Sequence, residues 1–278
     1  MEPIITALLL TLAAGAATGL GGALILFRKK LGSDFLAGAL GLSAGVMIFI
    51  SLAELYPEAQ AAIPEDAGNG SVFVVLAFFL GMGIITLIDF LIPEYENPHE
   101  ASGLTLDSRN AATEMIRQSE HEGGNALKKL GIMSALAIAI HNFPEGMATF
   151  IGTLNDPRMG TGITFAIAVH NIPEGIAVAI PIFYATRSKA KALMYATLSG
   201  LTEPAGAAIC YGLTTLFGVQ IQGGGAAFPL ILSAVAGIMV YISLDELLPT
   251  AEKYGKHHIA IAGVVSGMAI MAVSLLLL

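Results

Sequence analysis

One phrase occurs twice in this chain, as LAIAIHNFPEGMATFI at residues 136–151 and as FAIAVHNIPEGIAVAI at residues 165–180. The two copies are identical at ten of sixteen aligned positions. Each copy places a histidine, an asparagine, a proline and a glutamate inside an apolar stretch that is long enough to cross a lipid bilayer. Ionisable side chains at membrane depth are costly, and they normally mark an ion path or a proton relay. The repeat therefore predicts two membrane helices that share one functional site.

The composition indicates a membrane protein. Of the 278 residues, 55% are hydrophobic and only 12% are charged, whereas a soluble domain carries about 25% charged residues. The formal net charge is −8, and no run of basic residues suggests a nucleic-acid partner. We therefore expect one all-α, polytopic domain over residues 1–278, with the lipid bilayer as its surroundings.

Eight apolar stretches of about 20 residues are long enough to cross a bilayer. These predicted spans, numbered 1 to 8, lie at 4–27, 35–57, 72–92, 130–153, 161–184, 193–217, 227–249 and 259–278. Lys and Arg concentrate in the cytoplasmic loops of membrane proteins. With the N-terminus outside, 12 of the 13 basic residues fall in inner loops, and Arg158 alone lies outside. We therefore predict a multi-pass protein of the cell (inner or plasma) membrane with both termini outside.

The longest connection, residues 93–129, is polar and lies on the cytoplasmic side in this topology. Its composition predicts a partly disordered, solvated linker. A cytoplasmic tether that catches metal ions is the alternative, because the loop contains histidines among many acidic residues.

A second repeat relates the two ends of the chain. Residues 44–59, AGVMIFISLAELYPEA, match residues 236–251, AGIMVYISLDELLPTA, at ten of sixteen positions. The copies fall in predicted spans 2 and 7, which run in opposite directions, as do spans 4 and 5. We therefore predict a 3+2+3 arrangement, in which spans 1–3 and 6–8 are inverted repeats around a central pair. Inverted repeats with a site near the midplane are typical of transporters.

Within each copy of the first repeat, the histidine and the glutamate are four residues apart, so they share one face of a helix. This holds for His141 with Glu145 and for His170 with Glu174. Imidazole suits zinc, iron, cobalt and nickel, whereas carboxylate and amide oxygens suit harder ions such as manganese. Two such helices side by side predict a site for divalent metal ions. The alternative is that each polar pair satisfies itself inside the bundle.

A further acidic residue, Glu203, lies near the middle of predicted span 6. Gly200, Pro204 and Gly206 flank it, and they predict a broken or kinked backbone there. The two asparagines lie one residue further round each helix, where they would serve a second, adjacent metal position. The candidate metal site therefore consists of seven residues: His141, Asn142, Glu145, His170, Asn171, Glu174 and Glu203.

The motifs HNFPEG at 141–146 and HNIPEG at 170–175, with GLTEP in span 6, resemble the ZIP (Zrt/Irt-like) family of metal-ion transporters, and within it a bacterial broad-specificity subgroup. The resemblance covers all eight spans. It implies a 3+2+3 helix bundle, uptake of divalent metal ions into the cytoplasm, and a binuclear centre between spans 4 and 5.

By position, the resemblance assigns the seven residues to two metal sites. The first would use His141, Glu145, His170 and Glu174, and the second would use Asn142, Glu145, Asn171, Glu174 and Glu203. Some members of the family have an aspartate where Asn171 stands, so the asparagine lowers the negative charge of the second site.

We therefore predict a transporter rather than an enzyme, without a catalytic cofactor. Zn²⁺ is the foremost cargo, and Fe²⁺, Mn²⁺, Co²⁺ and Cd²⁺ are further candidates. A metal-selective ion channel would share the site but would need a continuous pore. A membrane-embedded metalloenzyme is a weaker alternative, because the H-E-x-x-H motif of zinc proteases is absent.

Four acidic residues near the ends of their spans are candidates for the mouths of the ion path. In the predicted topology, Glu54 lies near the outer end of span 2. Asp89 lies near the inner end of span 3, and Asp245 and Glu246 lie near the inner end of span 7. Acidic side chains at a pore mouth attract cations. We predict Glu54 at the entrance and the other three at the exit; interfacial carboxylates in headgroup water are the alternative.

Small residues recur four apart in three of the spans, a spacing that permits close contact between helices in lipid. The pairs are Gly15 with Gly19, Gly41 with Gly45, and Gly263 with Gly267. Tight packing within the bundle is the favoured interpretation, and the seam of a homodimer is the alternative.

Overall fold

The computed structural model describes residues 2–27, 33–63, 68–91, 125–218, 227–254 and 256–277, and the regular structure in these residues is helical. The α-helices are α1 (Glu2–Phe27), α2 (Ser33–Ile50), α3 (Tyr56–Ala61), α4 (Gly70–Leu91), α5 (Asn125–Asn155), α6 (Pro157–Thr186), α7 (Lys189–Gly200), α8 (Thr202–Phe217), α9 (Ala227–Ile242), α10 (Leu248–Tyr254) and α11 (His257–Leu277). Two π-helical turns, π1 (Ser51–Leu55) and π2 (Ser243–Leu247), join α2 to α3 and α9 to α10.

Six helical stretches within these ranges are long and apolar enough to cross a membrane. They are Pro3–Leu24, Asp34–Ala61, Gly70–Phe90, Pro157–Ile180, Ala227–Lys253 and His257–Leu276. These stretches correspond to predicted spans 1, 2, 3, 5, 7 and 8. The all-α, multi-pass prediction agrees with them, whereas the count of eight does not follow from length and composition alone.

The remaining two predicted spans are not among these six stretches. Span 4 lies within the 31-residue helix α5, and many side chains in the first half of this helix lie outside the described residues. Span 6, predicted as one stretch over 193–217, is divided at Leu201 into helices of 12 and 16 residues. Each of these is shorter than the roughly 20 residues that a bilayer requires. The predicted break next to Glu203 is confirmed.

The break at Leu201 has a local cause. Pro204 has no N–H to donate to the carbonyl of Gly200, and glycine is a poor helix former. The Thr202 hydroxyl donates to the Ser199 carbonyl at 2.6 Å, which satisfies one of the carbonyl groups at the end of α7. Helix α8 therefore starts afresh, with Glu203 in its first turn.

The two π turns occupy equivalent positions in the second repeat. Alignment of residues 44–59 with 236–251 places Ser51–Leu55 directly on Ser243–Leu247. The same irregularity in both copies supports the internal repeat that the sequence predicts. Single π turns within α-helices are rare and occur mostly near functional sites.

The helices pack as two groups. The motif group consists of α1, α5, α6, α7 and α8; in it, α1 packs against α6 and α7, and α5 packs against α6 and α8. The flanking group consists of α2–α4 with π1 and α9–α11 with π2; in it, α2 packs against α11 and α4 packs against α9. The groups meet mainly where α2 contacts α6 and where α9 contacts α5. The 3+2+3 order along the chain is therefore not the grouping in space, because α1, α7 and α8 join the central pair.

Helix α6 lies at the centre of the bundle, and α4 lies at its edge. The apolar stretch of α6 is 72% buried within the protein, against 22% for the stretch of α4. Large apolar side chains of α4, including Phe79, Leu80 and Leu87, are exposed, as befits a surface that meets lipid. The prediction of a central position for span 5 is confirmed.

The paired glycines are used for packing within the chain. Gly41 and Gly45 face the carbonyl oxygens of Ala260 and Val264 on α11, and a Cβ at either glycine would overlap those oxygens. The other four glycines likewise contact neighbouring helices of the same chain. These contacts confirm tight intrachain packing at the glycines, while a homodimer stays a prediction.

The predicted loop 93–129 falls largely outside the described residues, which exclude 92–124. Its last five residues belong to α5, which begins at Asn125. The bounds and the partial disorder of this connection stay a prediction.

Candidate metal-ion site

The two HNxPEG motifs lie on adjacent helices. Helices α5 and α6 pack against each other and run without interruption through Pro144 and Pro173. Six of the seven predicted site residues have described side chains, and all six are completely buried: Asn142, Glu145, His170, Asn171, Glu174 and Glu203. The side chain of His141 lies outside the described part of the structure.

The closest contact between the motifs joins one copy to the other. Nε2 of His170 lies 3.2 Å from Oε1 of Glu145, and both side chains are fully buried. The sequence predicts that Glu145 shares a helix face with His141; the structure adds its contact with the histidine of the neighbouring helix. A carboxylate and an imidazole are thus held together at the boundary between α5 and α6.

Both asparagines are oriented by backbone carbonyl groups. Nδ2 of Asn142 donates to the carbonyl oxygen of Ser199 at 3.4 Å. Nδ2 of Asn171 donates to the carbonyl oxygen of Ala14 at 3.0 Å and also to Oε1 of Glu203. Only an NH₂ group can donate in this way, so these partners leave the Oδ1 atom of each amide available as an acceptor.

Glu203 connects the broken sixth span to the motif pair. It lies in the first turn of α8, where the positive end of the helix dipole favours a carboxylate. Its hydrogen bond from Asn171 joins α8 to α6. The prediction that Glu203 lies beside the motif residues is therefore supported by a direct contact.

Within the two HNxPEG motifs, three buried oxygens accept no hydrogen bond from any described residue. They are Oδ1 of Asn142, Oε2 of Glu145 and Oδ1 of Asn171. A buried acceptor that lacks a donor costs about 1–3 kcal/mol. Carboxylate, amide and imidazole groups are also the ligands that divalent metal ions take from proteins. These side chains are therefore suitable ligands for a divalent cation.

The contacts seen among the described side chains join the predicted residues in pairs. Glu145 contacts His170, Asn171 contacts Glu203, and Glu174 accepts a hydrogen bond from the Ser43 hydroxyl at 3.2 Å. Among the described side chains, no three His, Cys, Asp or Glu residues approach closely enough to hold a metal ion. A four-ligand position that includes His141 accordingly stays a prediction.

The last residue of each motif permits close approach of a neighbouring helix. A Cβ at Gly146 would overlap the backbone carbonyl of Glu203, and a Cβ at Gly175 would overlap that of Thr18. Any larger residue at these positions would push α8 away from α5 or α1 away from α6. The glycines of HNFPEG and HNIPEG thus bring neighbouring helices against the ligand-bearing turns.

Ser43 is a site residue that sequence reasoning missed. It lies on α2, outside the motifs, and its hydroxyl contacts Glu174 from the flanking group.

Ser43 is also the serine of GLSAG at 41–45, which matches the G-x-S-x-G pattern of serine hydrolases. In those enzymes the serine stands on a sharp turn between a strand and a helix. Ser43 lies within a regular helix, so the match does not indicate a nucleophile.

The four predicted mouth residues are half-buried: Glu54, Asp89, Asp245 and Glu246. Glu54 lies in π1, and Asp245 and Glu246 lie in π2. Tyr241 on α9 interacts electrostatically with both Asp89 and Asp245. Two of the three predicted exit residues, one on α4 and one on π2, are therefore within electrostatic range of the same tyrosine.

Apolar helices that surround buried carboxylate, imidazole and amide groups define a multi-pass membrane protein with polar side chains at its centre. A family model described as ZIP Zinc transporter matches residues 1–275. The chain belongs to this family, as the HNFPEG and HNIPEG motifs predict. The family consists of transporters rather than enzymes.

Curated relatives match over nearly the whole chain. The zinc transporter ZupT of Clostridium perfringens is 50% identical over 100% of this chain and 97% of its own length. The protein of the same name from Streptococcus mutans is 50% identical, and that from Chlorobaculum parvum is 47% identical, each over 99% of this chain and 98% of its own length. This similarity agrees with the predicted bacterial subgroup, while broad specificity stays a prediction.

Proposed function

We propose that this chain imports Zn²⁺ into the cytoplasm, with Fe²⁺, Mn²⁺, Co²⁺ and Cd²⁺ as further cargo. Its relatives are named zinc transporters, which supports zinc as the main ion. The observation that carries the proposal is the set of three buried oxygens, on Asn142, Glu145 and Asn171, that accept no hydrogen bond from the described residues.

A cation at these oxygens would remove an energetic cost that the protein otherwise bears. Each oxygen loses its hydration on burial, at about 1–3 kcal/mol when no donor replaces the water. The opposite ends of these side chains are already engaged by Ser199, Ala14 and His170. The side chains are therefore oriented before an ion arrives, and less conformational entropy is lost on binding.

We further propose two adjacent metal positions between α5 and α6. The first uses His141, Glu145, His170 and Glu174. The second uses Asn142, Asn171 and Glu203 together with the two shared glutamates. The contacts of Glu145 with His170 and of Asn171 with Glu203 support this division, because each contact lies within one proposed position.

The proposed topology has eight crossings, with both termini outside and the chain in the cell (inner or plasma) membrane as one transport domain. Helices α7 and α8 together form one broken crossing, in the manner of the discontinuous helices that line transporter sites. The concentration of Lys and Arg in alternate loops supports the orientation.

Purified protein in zinc-free liposomes tests the function. We expect external zinc to enter with a rate that saturates, and each further cargo metal to compete with it. Uptake that rises without saturation, together with single-channel currents, would favour the channel instead. Failure to take up any divalent metal above empty liposomes would refute metal transport.

External acidification is expected to weaken apparent zinc affinity. A bound imidazole must be neutral, and an unperturbed histidine has a pKa of about 6.5. Lowering the external pH from about 7.5 to about 5.5 crosses that value, so the zinc concentration for half-maximal uptake should rise. His141→Ala and His170→Ala should each flatten this dependence, whereas His258→Ala, an exposed histidine of α11, should leave it unchanged. If both site variants keep the parent's pH profile, the histidines are not the groups that titrate.

The mouth residues are expected to affect opposite steps of transport. Glu54→Gln should mainly raise the external zinc concentration for half-maximal uptake, because it removes a charge that attracts cations at the entrance. Glu246→Gln should mainly lower the maximal rate, because it slows release on the inside. Initial rates over a range of zinc concentrations separate the two effects. The assignment is wrong if both substitutions change the same parameter equally, or if neither changes any.

A further inference from the structure

Ser43 on α2 lies against the ligand-bearing turn of α6. Its side chain is completely buried. The hydroxyl oxygen lies 3.2 Å from Oε1 of Glu174 and 3.4 Å from the carbonyl oxygen of His170. Ser43 therefore contacts both residues of the second motif that we assign to the first metal position.

The chemistry of the contact favours the carboxylate as the acceptor. A serine hydroxyl carries one proton, which it donates to one acceptor at a time. Hydrogen bonds to an ionised acceptor are roughly twice as strong as those between neutral groups. Donation to Oε1 fixes the rotation of the Glu174 carboxylate. Groups outside the ligand shell commonly orient metal-binding carboxylates in this way.

The donor belongs to a different group of helices from the carboxylate. Ser43 is part of the flanking group, and Glu174 is part of the motif group. Gly41 and Gly45, on either side of Ser43, are packed against the α11 backbone without room for a Cβ, which holds this part of α2 in place. The hydroxyl therefore reaches Glu174 only while α2 and α6 keep the arrangement seen here.

We infer that Ser43 is a positioning residue that orients Glu174 for the transported metal ion. This inference rests on the proposed function. Because Ser43 and Glu174 are on different groups, the hydrogen bond makes the metal affinity depend on how the two groups are arranged. Ser43 belongs to neither of the two HNxPEG motifs.

The inference predicts a selective loss of affinity in Ser43→Ala. Substitution of groups that orient metal ligands typically costs about 10–100-fold in affinity or activity. We expect the zinc concentration for half-maximal uptake to rise about tenfold, with the maximal rate per folded protein within about twofold of the parent. Ser43→Thr keeps the hydroxyl and should restore the half-maximal concentration to within about threefold of the parent.

A matched control removes an equally buried serine hydroxyl elsewhere. Ser233 on α9 is completely buried and donates to the carbonyl of Val74 at 2.7 Å, within the flanking group. Ser233→Ala should leave the half-maximal zinc concentration unchanged, even if it lowers thermal stability. Calorimetric titration of detergent-solubilised protein with zinc gives a second readout that does not depend on transport rate.

Three results would overturn the inference. The first is that Ser43→Ala binds and transports zinc with the parent's affinity, the second is that Ser43→Thr is as weak as Ser43→Ala, and the third is that Ser233→Ala causes the same loss. These outcomes are distinct from failure of the proposed function, in which the parent protein itself neither binds nor takes up zinc.

Discussion

Glu145→Ala is expected to reduce zinc uptake by more than about a hundredfold while the protein still inserts into the membrane. Glu145 is completely buried, contacts His170 at 3.2 Å and has a second oxygen without a donor among the described residues. Loss of a ligand should exceed the roughly 10–100-fold cost of losing a group that merely orients one. Uptake of labelled zinc, normalised to folded protein in the membrane, measures the effect. Glu174→Ala should behave in the same way.

A surface carboxylate provides the control for Glu145→Ala. Glu252 is exposed and hydrogen-bonds with His257 at the start of α11. Glu252→Ala changes the net charge equally but should keep near-parental uptake. Near-normal uptake by a correctly folded Glu145→Ala variant would contradict the shared-carboxylate site.

Gly206→Ala is expected to destabilise the protein and to impair transport together. A Cβ at Gly206 would overlap the backbone carbonyl of Phe143, within the first motif, so α8 must move away from α5. Overpacking of this kind costs about 1–3 kcal/mol. Glu203 lies one turn earlier on α8, so its position beside the motifs would change as well. We expect a melting temperature lower by several degrees and a large fall in uptake.

The same helix offers a matched control for Gly206→Ala. A Cβ at Gly212 would meet nothing within 4 Å, and alanine is a better helix former than glycine by about 1 kcal/mol. Gly212→Ala should therefore leave the uptake unchanged and should leave the melting temperature unchanged or raise it slightly. Equal behaviour of the two variants would show that the close approach of α8 to α5 is not required.

Much of the fold can be predicted from the sequence, because polar residues and helix-breaking residues are easy to recognise within the apolar spans of a membrane protein. A buried charge is costly in lipid, so the sequence predicts a functional role for Glu145, Glu174 and Glu203, which lie in apolar stretches. Gly200 and Pro204 together predict the break between α7 and α8.

No comparable pattern in the sequence indicates the contacts between distant residues. Ser43 is one small residue in an apolar helix, and its partner Glu174 is 131 positions away. No local sequence pattern connects these two residues. Likewise, the choice of carbonyl partner for Asn142 and Asn171 depends on how α1, α5, α6 and α7 pack. The grouping of α1 with the central pair is also a consequence of packing, which the order of the spans does not contain.

The π turns escape sequence reasoning for a different reason. SLAEL at 51–55 and SLDEL at 243–247 have ordinary helical composition, so no residue in them indicates a wider turn. The repeat aligns the two segments, yet alignment alone cannot say that both depart from the α-helix.

A wider turn of this kind accommodates one residue more than the surrounding helix needs, so its origin is most simply a one-residue insertion. Its presence at the same aligned position in both copies of the repeat has a historical consequence. Two independent insertions at matching positions are far less economical than one insertion in an ancestral three-span segment that was later duplicated. The two turns would then be older than the duplication, and the difference between Ala53 and Asp245 within them would have arisen after it.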